Sequence, residues 1–97
     1  MKFEGIYPPV ITPYKADYSI DHDGFVTMLE HLVGAGVHGI IVGGTTGEYY
    51  AQTREERIAL MQLARETIAG RVPLIIGIGA IRTEDCIDYA HLARDNG

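Results

Sequence analysis

Ninety-seven residues, 46% of them hydrophobic and 22% charged, hold enough apolar material for a folded soluble domain, and no aliphatic run approaches the roughly 18 residues of a membrane span. A net charge of −5, with the Lys and Arg residues scattered, disfavours nucleic acid as a partner. One cysteine, Cys86, excludes an internal disulfide and a cysteine-built zinc site, and is expected to be a small buried residue.

At the N-terminus Glu4, Pro8 and Pro9 stand where a secretory signal needs an unbroken apolar core, so the expected compartment is the cytoplasm. Residues 6–11 read as a first or edge-like strand, short of ladder donors at the two prolines. An irregular loop over residues 12–19 follows. Phe25, Met28, Leu29, Leu32 and Val33 repeat with the period of one helix face, and Gly34 and Gly36 fall where that first helix would be capped. Residues 37–42 form a continuous apolar run, the pattern of a parallel strand buried on both faces, with His38 expected as a hydrogen-bonded core histidine. Thr53 and Glu56 make a capping box for a second helix whose inner stripe is Leu60, Met61, Ala64 and Ile68, stopped at Gly70. On that helix one of Arg54 and Arg57 is expected to be solvated and the other to face an acid. Residues 73–77 read as a third strand, and Thr83, with Glu84 and Asp85 in the first turn, opens a third helix. Arg65, Glu66, Arg94 and Asp95 read as solvated helix faces, and residues 95–97 as a helix C-cap signal.

Strand starts near Ile6, Val37 and Val72 lie 31 and 35 residues apart, each interval the length of one strand and one crossover helix. The order is three βα units with a parallel sheet and right-handed crossovers, either open and doubly wound or closed into a barrel. Three units leave sheet edges unpaired, and a complete eightfold barrel takes about 250 residues, so the chain is expected to be a fragment.

The second strand empties into Gly43-Gly-Thr-Thr-Gly-Glu48, a turn of glycines and two adjacent threonines. Glycine lets backbone N–H groups approach a ligand closely, the Thr45 and Thr46 hydroxyls add donors, and a helix opening just beyond is expected to contribute its positive dipole end. A carboxylate or phosphate suits such a turn. Thr53 already supplies a helix cap downstream, which leaves the two hydroxyls without an obvious structural role.

Taken in order, Thr12-Pro13, Ser19-Ile-Asp21, Gly36-Val37, Gly44-Thr-Thr-Gly-Glu48, Glu56-Arg57 and Gly77-Ile-Gly79-Ala80 resemble the dihydrodipicolinate synthase and N-acetylneuraminate lyase family over the whole chain. The resemblance implies an α/β fold of the (β/α)8 TIM barrel type, of which residues 1–97 are the first three βα units in a single-domain enzyme of roughly 300 residues. It implies a lysine that forms a Schiff base with pyruvate or another 2-keto acid, in a homodimer or homotetramer, and it calls for neither a cofactor nor a metal. Thr45 would correspond to the threonine that relays protons with a tyrosine. Thr46 would hold the substrate carboxylate through its hydroxyl and N–H, at the strand end where such barrels place their sites.

In that family the lysine and the tyrosine lie on later strands. Only Lys2 and Lys15 occur here, and neither setting suggests the desolvation that activates an amine, so these residues alone are expected to be inactive. Tyr49-Tyr50 after Glu48 replace the serine frequent in the biosynthetic branch and lean toward members acting on keto-sugar acids; packing would explain them equally well. Glu48 is expected to serve structure more than chemistry. Three other readings compete. One is a non-catalytic α/β fragment. Another is a calcium loop over residues 19–30, undercut by Pro8, Pro9 and Pro13 where it needs a preceding helix. The third is a nucleotide-binding half, undercut by Arg82 in place of the third fingerprint glycine. His22, His31, His38 and His91 lack the spacing of a metal site.

Overall fold

The structure, a computed structural model, describes residues 4–96. Lys2 and the Gly97 end of the expected C-cap signal therefore lie outside the described residues. Among the described residues five regular elements follow one another: α1 (His22–Gly34), β1 (Ile40–Val42), α2 (Arg54–Ile68), β2 (Leu74–Ile76) and α3 (Thr83–Asp95), with a 3-10 turn at Tyr49–Ala51 between β1 and α2.

β1 and β2 pair in parallel, with Ile40 opposite Leu74, Ile41 opposite Ile75 and Val42 opposite Ile76. The first expected strand lies along the other edge of β1 as extended chain rather than as a ladder. His38 N–H donates to the Ile6 carbonyl (2.9 Å), Ile41 N–H to Pro8 (3.0 Å) and Val10 N–H to Ile41 (2.9 Å), leaving one parallel bridge between Pro9 and Ile41. Proline has no N–H, so two consecutive prolines thin the ladder as the sequence implied. Residues 12–19, expected to be irregular, instead hold a small hairpin. Tyr14 and Ile20 bridge antiparallel, and the turn between them carries Tyr18 at a left-handed φ of 71°. Asp17 secures this turn by accepting from the Ser19 hydroxyl (2.6 Å) and N–H (3.1 Å), contacts that pull its carboxyl below its ordinary pKa.

Helix ends follow their residues. Asp21 caps α1 by accepting from Gly24 N–H (3.0 Å), and the helix gives way through Ala35 to Gly36 at φ 85°. Thr53 and Glu56 form the reciprocal capping box of α2 at 3.1 and 2.8 Å. Ala69, not Gly70, takes the left-handed cap position of α2, at φ 49°, with Gly70 at φ 76° behind it. Thr83 is the first helical residue of α3 rather than its cap; Arg82 occupies the cap position and makes no side-chain capping bond.

The core gathers Val10, Ile20, Phe25, Leu29, Ile40, Val42, Leu60, Ala64 and Ile68. α1 packs on α2, and α2 packs on both strands. Phe25 and Leu29 from α1 and Ala64 from α2 are fully buried there, which is why the stripes read from the sequence hold. β1 corrects one expectation. Ile40 and Val42 are buried but Ile41 between them is only half-buried, because alternate residues of a strand face opposite sides and Ile40 and Val42 are the ones on the core side. His38 is another correction: its ring is exposed, resting against Gly5, with Nδ1 accepting from Ile6 N–H at 2.9 Å. Cys86 is half-buried, its thiol 3.6 Å from the Ala80 carbonyl oxygen. Among the described residues no helix is long and apolar enough to cross a membrane.

Candidate functional site

All strands run the same way, so their C-terminal ends gather the loops after β1 and β2 on one edge of the molecule. Gly43 follows β1 at φ 76° and sits against Gly77, which follows β2; a Cβ on Gly77 would collide with the Gly43 carbonyl oxygen. Two glycines at this crossing thus let the two loop mouths touch backbone to backbone.

Beyond Gly43 the chain folds into consecutive tight turns. Gly47 N–H donates to the Gly44 carbonyl (3.1 Å) and Glu48 N–H to the Thr45 carbonyl (2.9 Å). Glu48 adopts a left-handed φ of 62°, uncommon outside glycine, and its carbonyl accepts from Ala51 N–H (3.0 Å). Its carboxylate takes no part in these bonds, so Glu48 shapes the turn through its backbone. Thr45 and Thr46 are both exposed. Neither hydroxyl, and none of the N–H groups of Gly44, Thr45 and Thr46, makes a hydrogen bond among the described residues. The expected helix dipole is not at this turn: the element directly after it is one 3-10 turn, and α2 starts only at Arg54.

Around the turn lies a set of polar residues that apolar periodicity passes over. Thr12, 7% exposed, donates its hydroxyl to the Gly47 carbonyl at 2.7 Å, and Gln52 Nε2 donates to the same oxygen at 2.9 Å. On α2, Arg57 is buried at 5% exposure and pairs with no acid among the described residues. Its guanidinium donates to the Gly79 carbonyl (2.7 Å) and the Gly77 carbonyl (3.0 Å), and lies over the Tyr89 ring at 3.7 Å and the Tyr49 ring at 5.1 Å. One long cation thereby ties α2 to α3 and to the loop after β2. Arg54, its neighbour on the helix, is the one that meets an acid. It reaches Asp88 on α3 at 2.9 Å, and that guanidinium holds the Asp88 carboxyl below its ordinary pKa.

Tyr49 is half-buried between Arg57 and Gly79, where any Cβ on Gly79 would strike its ring, so this phenol is a packing residue. Tyr50 meets it edge-on at 5.8 Å and is exposed. Of the two expected lysines, Lys15 is exposed in the small hairpin, apart from the threonine turn. A concavity of about 670 Å³, open to solvent, is lined by Ile68, Gly70, Val72 and Leu74 at the opposite ends of the strands. No group of three or more His, Cys, Asp or Glu side chains converges on a possible metal position among the described residues.

Repeated βα units with a parallel strand pair and donors at the C-terminal strand ends place the chain in the parallel α/β class, open or closed. The model of the dihydrodipicolinate synthetase family matches residues 2–97, and the chain belongs to that family. A 4-hydroxy-tetrahydrodipicolinate synthase of Desulfotalea psychrophila is 41% identical over 96 residues, covering 99% of this chain and 32% of that protein. A solved dihydrodipicolinate synthase superposes with a TM-score of 0.93 at 37% identity, over 98% of this chain and 33% of its own. An N-acetylneuraminate lyase of Mycoplasma synoviae superposes with a TM-score of 0.91 at 34% identity, over 97% of this chain and 32% of its own. The chain thus spans about a third of the length of its relatives, and its fold is part of a (β/α)8 barrel.

Proposed function

We propose that the complete protein is a Schiff-base-forming lyase, aldolase or dehydratase acting on pyruvate or another 2-keto acid. One observation carries this reading: two adjacent hydroxyls on exposed threonines and the N–H groups of Gly44, Thr45 and Thr46 make no hydrogen bond among the described residues just past the end of a parallel strand, while Thr53 caps the helix that follows. Such fixed donors match an anionic carboxylate. Thr46 binds that carboxylate through its hydroxyl and N–H, and Thr45 relays protons with a tyrosine on a later strand. The reactive amine belongs to a lysine beyond Gly97. It attacks the keto carbon, water leaves, and the resulting iminium draws electrons from the neighbouring carbon, which is what bond cleavage, condensation and dehydration at that carbon all need.

These three βα units carry part of the substrate site and are inactive alone. Lys15 is exposed in the small hairpin and takes no part in the chemistry. The enzyme works in the cytoplasm as a homodimer or homotetramer, without cofactor, metal, nucleic acid or membrane. Borohydride reduction of the full-length protein with pyruvate, read by intact mass, tests the chemistry. A stable adduct on the full-length protein and none on residues 1–97 is expected; no adduct on the full-length protein refutes the reading and leaves a non-catalytic α/β fragment in its place.

A further inference from the structure

Gln52 sits between the 3-10 turn and the Thr53 cap, with its side chain turned inward. Its Nε2 lies 2.9 Å from the Gly47 carbonyl oxygen, 3.2 Å from Thr12 Oγ1 and 3.2 Å from Tyr14 Oη. Its Oε1 is buried and accepts from no group among the described residues. Reversing the amide does not cure this. The Thr12 hydroxyl spends its proton on the Gly47 carbonyl at 2.7 Å, and a reversed Gln52 would set its own oxygen against that same carbonyl. Only the NH2 end can face Gly47, and the cost is an oxygen left without a donor among the described residues. Buried acceptors in that condition are rare and destabilising, and an apolar side chain of similar length would avoid the penalty. Violations of this kind gather where a local geometry is required for something other than stability.

The geometry in question is that of the threonine turn. Gly47 closes it: its N–H returns to Gly44, and its carbonyl is gripped from one side by Thr12, following the first extended segment, and from the other by Gln52, preceding α2. With that peptide fixed at both ends, Thr45 and Thr46 are held between two anchored points although their hydroxyls make no hydrogen bond among the described residues. We propose that Gln52, with Thr12, is a positioning residue that locks the Gly47 peptide and so pre-orients the Thr45 and Thr46 donors for the substrate carboxylate. The ligand half of this statement rests on the keto-acid reading above; the locking of the turn does not.

The test uses the full-length protein with Gln52→Met, which keeps an unbranched side chain of similar volume and removes the amide, alongside Thr12→Val and Thr12→Ser. Three quantities are read: thermal midpoint, hydrogen exchange at the Gly47 and Glu48 amides, and the pyruvate concentration giving half-maximal borohydride trapping. Gln52→Met is expected to keep or raise the midpoint, to speed exchange at both amides, and to raise the half-saturating pyruvate about three- to tenfold with the same adduct yield at saturation. Thr12→Val should weaken trapping in the same way, and Thr12→Ser should restore it. A lowered midpoint in Gln52→Met with unaltered exchange and trapping would make Gln52 a stability residue and overturn the proposal. Should the unmutated protein form no adduct, the keto-acid reading falls by itself; exchange then decides, with acceleration in Gln52→Met upholding the lock and no change overturning it.

Discussion

Replacing Gly77 by alanine tests the crossing on which the site is built. The added Cβ would collide with the Gly43 carbonyl oxygen, with the Gly43 carbonyl carbon at 2.7 Å and Gly44 N at 3.2 Å. All three are backbone atoms, so no side chain can swing away. Restoring ordinary contact requires the two loop mouths to part by about 1 Å. That movement stretches the 2.7 Å bond from Gly77 N–H to the Val42 carbonyl. Overpacking and the weakened bond together amount to about 2–4 kcal/mol. Because Gly43 stands two residues before Thr45, the displacement also reaches the threonine turn. Two other glycines calibrate the result. Gly36→Ala meets open space at φ 85° and should lose about 1–2 kcal/mol from backbone conformation alone. Gly34→Ala lies at the end of α1 with nothing within 4 Å and should gain up to about 1 kcal/mol. Urea unfolding of the full-length variants should rank Gly34→Ala above the parent protein, then Gly36→Ala, then Gly77→Ala, and only the last should impair pyruvate trapping. If Gly77→Ala is as stable as Gly36→Ala and traps pyruvate normally, the close approach of the two loops does not govern the site.

Thr46→Val should raise the half-saturating pyruvate about tenfold or more, the worth of one hydroxyl on a carboxylate, and leave the urea midpoint in place; a trapping titration reads the first and urea unfolding the second. Thr53→Ala removes half of the capping box and should lower unfolding free energy by about 1 kcal/mol without changing trapping, again by urea titration with a trapping control. Acid should expose the Glu30–Arg71 pair, which joins α1 to the chain after α2 at 2.7 Å. Hydrogen bonding from Arg71 holds the Glu30 carboxyl below its ordinary pKa, so the folded protein takes up that proton less readily than the unfolded chain. The contribution is whole above the ordinary carboxylate range and lost as pH falls through the depressed value. Glu30→Gln should therefore lower the urea midpoint slightly at neutral pH, and the two curves should converge in acid; a constant gap at all pH values contradicts this.

Local signals served well wherever one residue satisfies one need. The capping box at Thr53 and Glu56 and the α1 and α2 stripes are consequences of helical spacing, and the structure keeps all of them. Parallel pairing followed from unit length, since strand starts 31 and 35 residues apart leave room for the one crossover helix that parallel neighbours need. Barrel closure is different in kind, because three units satisfy open and closed sheets equally, and it took the likeness to complete relatives to choose. His38 misled for a related reason. Aliphatic neighbours in sequence suggested a buried ring, but alternation along extended chain puts adjacent residues on opposite sides, and His38 faces outward to meet Ile6 N–H.

The polar side chains that shape the site were harder to read, and the reason is physical. Periodicity treats a polar letter as a surface letter, yet Arg57, Thr12 and Gln52 spend their polarity on main-chain carbonyls that only the folded chain brings near: Gly77 and Gly79 for Arg57, Gly47 for the other two. The partners of Arg57 and Thr12 lie 20 to 35 residues away in sequence, outside any window centred on them, and although Gly47 is only 5 residues from Gln52, the turn that aims its carbonyl there is a product of the fold. One clue was present in the α2 stripe. Arg57 is three residues before Leu60 and four before Met61, both core positions, and an arginine at that spacing is on the inward face whatever its charge. An inward cation without an acid must find oxygens elsewhere, and glycine-rich strand ends, with carbonyls that no side chain covers, are where they are found. The threonine turn could be read from composition, but the residues that hold it still had to be seen in place, because donors become a binding site only when their backbone is fixed.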